Sequence, residues 1–169
     1  MYYHRPNKVR TKMSPEKWAT TNRRDKRTLV VKGRSHGILV YDGERAVGWC
    51  QFGERDELPR LDSGRSSQKL VTMDDGKKLW RITCFFVDKG YRMQGVAATA
   101  LNATLDSIKK RGGGMVEAYP VTSTKRGSWS LWSGTPVLFE REKFKRVSRL
   151  GKGPAGTSHI LMRRTIESK

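Results

Sequence analysis

The chain has 169 residues, 36% of them hydrophobic, and its 35 Lys and Arg outnumber 16 Asp and Glu for a formal charge of +19. The length suits one domain, and no apolar run approaches the roughly 18 residues of a bilayer span. The opening MYYHRPNKVR is polar and basic, unlike a secretory signal, so the expectation is a soluble, cytoplasmic protein without a membrane span.

Two cysteines, Cys50 and Cys84, form no CxxC pair and sit in apolar, strand-like runs, as buried thiols do. His4, His36 and His159 are scattered without metal-ligand spacing, so no metal is expected. The charge is uneven. Between residues 5 and 34, eleven basic side chains face only Glu16 and Asp25. Such a field attracts nucleic acid, an anionic membrane or a polyphosphate cofactor, or it merely solvates one face.

Residues 1–13 show no periodicity and read as a basic arm ahead of a single domain over 14–169. Ser14-Pro15-Glu16 is a helix start, with Ser as N-cap, Pro at the first helical position and an acid in the first turn. The helix should run to about Lys32 and stop at Gly33; with few apolar residues it should lie on the surface. Residues 37–41 and 46–52 read as strands joined by a turn at Asp42-Gly43. The stretch 53–78 is polar, carries Pro59 and reads as a long loop.

Residues 79–87 form a strand apolar on both faces, hence central. A turn at 88–92 leads into a helix over 94–111, where Ala97, Leu101, Leu105 and Ile108 share one face. Gly112-Gly113-Gly114 ends it, and 115–119 is the next strand. Strand, helix and strand make a βαβ crossover with parallel pairing. Residues 121–134 read as irregular. Thr135-Pro136 opens a short helix to about Lys143, and 144–150 with 159–165 form a terminal hairpin.

The segment from Phe85 to Ala97 carries the chemistry. A buried strand runs into a tight turn and then a helix, whose first N–H groups lack internal partners and carry partial positive charge. That suits a pyrophosphate, with Lys89 and Arg92 adding mobile charge. Here Arg92-Met93-Gln94-Gly95-Val96-Ala97 resembles the [QR]-x-x-G-x-[GA] signature of the GNAT acyltransferase superfamily. Leu138-Phe139-Glu140-Arg141-Glu142-Lys143-Phe144 is similar to its late-helix motif. The segments 47–51 and 80–87 resemble a bacterial subgroup of it.

The resemblance implies an α/β fold: a mixed, mostly antiparallel sheet splayed at one parallel pair and flanked by helices. It implies an N-acetyltransferase using acetyl-CoA, in which an amine attacks the thioester directly in a ternary complex. Arg92, Met93, Gln94, Gly95, Val96 and Ala97 would hold the pyrophosphate. Phe85, Phe86 and Val87 would offer strand-end donors to the pantetheine and the thioester oxygen. Thr135 and Phe139 would border the cofactor from the late helix.

Three departures from the family pattern stand out. Phe139 occupies the place of a late-helix tyrosine that protonates the leaving thiolate in many members. Tyr119 is a substitute, or simply a tyrosine packed at a strand end. The strand over 80–87 holds no carboxylate to act as base. Glu117 shares a strand face with Tyr119 and either takes the acceptor's proton or pairs with a nearby Arg or Lys. Lastly, the family opens with a further strand and helix before the segment matching Trp18, so the chain reads as shortened, with a sheet face that a homodimer would cover. The acceptor is unnamed by the sequence. The charge also admits an RNA- or ribosome-associated acetyltransferase, or a non-enzymatic basic nucleic-acid-binding domain.

Overall fold

The computed structural model describes residues 4, 14–63, 78–123, 131–150 and 157–168. Helix α1 spans Pro15–Val31, and the Ser14 hydroxyl accepts from the Lys17 N–H at 3.4 Å. None of its residues is buried, as its polar sequence requires. Strands β1 (His36–Asp42) and β2 (Arg45–Glu54) form an antiparallel hairpin closed at Asp42 and Arg45. Of the expected loop at 53–78, the described residues 53–63 end β2 and then form 3-10 turns at Arg55–Glu57 and Pro59–Ser63, while 64–77 lie outside the described residues.

Strand β3 spans Leu79–Val87 and β4 spans Gly114–Ala118; helix α2, Val96–Lys110, crosses between them. The helix begins two residues later than its pattern suggests, because Gly95 is the N-cap. β5 covers Val121–Ser123, α3 covers Pro136–Arg141, and β6 (Lys145–Leu150) pairs antiparallel with β7 (Ser158–Ile166). The expectation of an irregular stretch at 121–134 missed β5, a three-residue strand stopped by Pro120 from joining β4.

The seven strands form one sheet in the order β1-β2-β3-β4-β7-β5, with β6 also on β7. Among the described strands only β3 and β4 run parallel, as the crossover dictates. One face of the sheet packs on α2. Leu101, Leu105 and Ile108 are buried against Cys50, Phe52, Trp80, Ile82, Val116, Ala118 and Met162. Each such side chain contributes roughly 1.5–3 kcal/mol on leaving water. The parallel register runs from Leu79 opposite Met115 to Ile82 opposite Ala118, while β3 continues to Val87 against β2. The β2–β3 register pairs Phe52 with Ile82 and Gln51 with Cys84, so Thr83 bulges out of the ladder where the parallel strands part.

Candidate functional site

The turn after β3 is held from three sides. The Asp88 carboxylate caps it by accepting from the Gly90 N–H at 3.1 Å, and it pairs with Arg45 at 2.8 Å. The Tyr91 hydroxyl donates to Asp42 at 2.7 Å, so both ends of the β1–β2 turn grip the segment. Arg92 Nε donates to the Val87 carbonyl and Gln94 to that of Gly90. The backbone then turns left-handed at Met93, with φ 63°, and at Gly95, with φ 83°. Met93 points wholly into solvent. A Cβ on Gly95 would meet nothing within 4 Å, so open space lies beside the first turn of α2. The helix enters this close to the sheet because Gly48 lies beneath Val96: a Cβ there would fall 2.4 Å from Val96 Cγ1.

Past Ile82 and Ala118 the β3–β4 gap is bridged by residues 131–134. The Phe85 N–H donates to the Trp132 carbonyl and the Val121 N–H to that of Gly134. Phe85, expected to offer its N–H to a thioester, therefore gives it to Trp132 here. Phe139 is fully buried, edge-on to Phe85 at 6.0 Å and Phe144 at 5.2 Å. Thr135 is the N-cap of α3. Phe86 is 58% exposed on the face away from α2, next to Trp49 in the register.

Glu117 and Tyr119 come together on that same far face. The Tyr119 hydroxyl donates to Glu117 Oε2 at 2.6 Å, and Arg163 donates to Oε1 at 2.7 and 3.0 Å. Arg81 lies 3.5 Å from Oε2 and forks onto Asp62. Burial pushes the Tyr119 hydroxyl well above the usual tyrosine range; the Arg81 charge opposes this and the Glu117 charge adds to it. Its proton is thus firmly held at neutral pH. His159 bonds to the Tyr119 carbonyl at 3.0 Å, which places a proton on Nδ1, and its ring lies 6.4 Å from Trp132.

The model of the Acetyltransferase (GNAT) family matches residues 4–133, well over half of the chain. The chain belongs to the GNAT family. Acetyl-CoA is accordingly its co-substrate and the protein is an acetyltransferase, which sets aside the non-enzymatic reading. No curated protein matches its sequence. Among solved structures, a GNAT-family protein from Desulfovibrio desulfuricans is 13% identical with TM-score 0.58, covering 93% of this chain and 86% of that one. Ribosomal-protein-alanine N-acetyltransferase from Brucella melitensis is 13% identical with TM-score 0.57, covering 86% and 78%. The yncA protein of Salmonella typhimurium, solved with its cofactor acetyl-CoA, is 13% identical with TM-score 0.56, covering 89% and 75%.

The signature turn of this GNAT chain fits a pyrophosphate: left-handed Gly95, unobstructed space and the N-terminus of a 15-residue helix coincide. Among the described residues no cluster of His, Cys, Asp or Glu could hold a metal, and no helix is long and apolar enough to cross a membrane. Sequence reasoning missed a polar cluster on the far face. His4 Nδ1 donates to the Glu57 carbonyl at 2.9 Å, while its Nε2 receives Gln51 at 2.7 Å. Lys26 bonds to Ser35 and stands 5.8 Å over the Trp49 ring; burial lowers its pKa. These residues are scattered in sequence, and only the sheet and α1 gather them.

Proposed function

We propose that the protein moves an acetyl group from acetyl-CoA to a primary amine by direct attack within a ternary complex. The observation that carries this is the turn from Asp88 to Ala97, pinned to the β1–β2 hairpin and opening onto unfilled space at Gly95. In this reading the backbone N–H groups of Arg92, Met93, Gln94, Gly95, Val96 and Ala97 receive the pyrophosphate. The ends of Phe85, Phe86 and Val87 receive the pantetheine, with Thr135 and Phe139 walling it from α3. Bound acetyl-CoA supplies an activated thioester, and orienting it beside the amine provides most of the rate. For the Phe85 N–H to face a thioester oxygen, the Trp132 carbonyl must give it up.

Tyr119 is the proposed proton donor to the departing thiolate; its hydroxyl donates to Glu117 in this structure and would have to turn from it to act. Glu117 is the proposed proton acceptor. Its pairing with Arg163 and Arg81 suits orienting the Tyr119 hydroxyl better, because the carboxylate is already engaged by both guanidiniums.

One observation favours an acceptor carried by a ribonucleoprotein. Helix α1 shows Lys17, Arg23, Arg24 and Arg27 to solvent on a chain of +19. Thermal melts with acetyl-CoA, and with a short RNA at two salt concentrations, test both readings. Acetyl-CoA should raise the melting temperature of the native protein and leave a folded Gly95→Trp variant unmoved. Equal affinity in that variant would sink the assignment of the turn. Under the second reading, RNA stabilises only at low salt.

A further inference from the structure

We propose that the hydroxyls of Thr83 and Ser133 are hydrogen-bonding positions for the acyl-pantetheine arm of acetyl-CoA at the gap between β3 and β4. This rests on the acetyltransferase reading above and adds two side chains to it.

Both residues are buried, at 2% and 3% exposure, yet neither hydroxyl has a hydrogen-bond partner among the described residues. A buried hydroxyl without a partner costs about as much as a lost hydrogen bond, and native folds rarely keep one without use. Asn22, Arg81 and Ser148 also carry an unpartnered buried atom, but Arg81 Nε faces the Glu117 carboxylate at 3.5 Å, and Asn22 and Ser148 lie away from the gap on α1 and on edge strand β6, in residues only half-buried. Thr83 and Ser133 flank one gap. Thr83 is the bulged residue directly after the last parallel pair, Ile82 and Ala118. Core residues Ile82 and Phe85 are three apart on one face, so the bulge absorbs Thr83 at the branch point.

Ser133 stands in the segment that bridges this gap, between two anchors. Trp132 takes the N–H of Phe85 on β3, and Gly134 takes that of Val121 on β5. Gly134 rests on the rings of Phe139 and Phe85. Two buried hydroxyls, each with one donor and two acceptor positions, thus stand on the segments that border the gap. An arm carrying amides and a thioester meets them as no aliphatic ligand would.

The test opposes stability to binding. In Thr83→Val and Ser133→Ala, loss of the unpartnered hydroxyl should raise the melting temperature of the ligand-free protein by roughly 2–4 °C. The acetyl-CoA dissociation constant should rise roughly five- to tenfold. Thr83→Ser, which keeps the hydroxyl, should bind as the native protein does. A ligand-free Thr83→Val that melts lower would mean the hydroxyl already has a partner inside the fold and would overturn the proposal. Unchanged affinity in both folded variants would overturn it too, while the acetyltransferase reading stands. A native protein that acetyl-CoA does not stabilise would remove both.

Discussion

Phe139 sits between the rings of Phe85 and Phe144 with no exposed surface. A hydroxyl added there enters the core rather than a solvated site. Phe139→Tyr should therefore lower stability by about 1–3 kcal/mol and leave turnover unimproved, as paired melts and steady-state rates would show. A large gain in turnover would instead mean that the site lacked this acid. His4 carries a pH dependence. Burial first, and then the Lys26 charge, lower its pKa from 6.5 to about 4. Between those values the unfolded chain binds the extra proton and the folded protein does not, so stability present above pH 6.5 is lost as pH falls toward 4. The structural reason is that Nε2 must accept from Gln51, and a proton there ends that. His4→Gln should flatten the melting temperature over this window; an undiminished slope would assign it to other groups.

At the scale of elements, α2 depends on its seat at Gly48. Gly48→Ala would put a methyl 2.4 Å from Val96 Cγ1 and drive the first turn of α2 off the sheet. The expected cost is about 1–3 kcal/mol of stability. Calorimetric titration should also show weaker acetyl-CoA binding than in the native protein. Periodicity revealed the framework of this region: the apolar run of β3, the stripe of α2 and the glycines after it are local signals. The seat itself left none, since Gly48 in a strand resembles any other small residue until the helix above it is placed. The bulge at Thr83 and the bridge from Trp132 to Phe85 are equally silent, because both arise from pairing between distant segments. Glu117 shows the limit well. An acid inside a strand stood out, but Arg163 lies 46 positions away, and only the sheet reveals that the carboxylate is already paired.

Across the whole molecule acids are scarce, and among the described residues they are mostly engaged. Asp56 meets Arg34, Asp62 meets Arg81, Asp88 meets Arg45, Glu140 meets Arg146 and Glu142 meets Arg164. The excess positive charge thus falls on exposed side chains and sets a long-range field that the composition alone already announced. Fold class was equally visible at this scale, since one crossover and two hairpins leave few arrangements. The order of strands was not, and it bears on how the protein is made. β7 is the last of the seven described strands to be translated, yet it joins β4, β5 and β6. A nascent chain can close the hairpin and the crossover early, then must wait with the outer edge of β4 bare until β7 emerges. At about 5–20 residues per second, some 40 residues separate Ala118 from Ser158. For those few seconds the half-made sheet presents a sticky parallel pair to its surroundings, and chaperone demand in the cell would be concentrated in that interval.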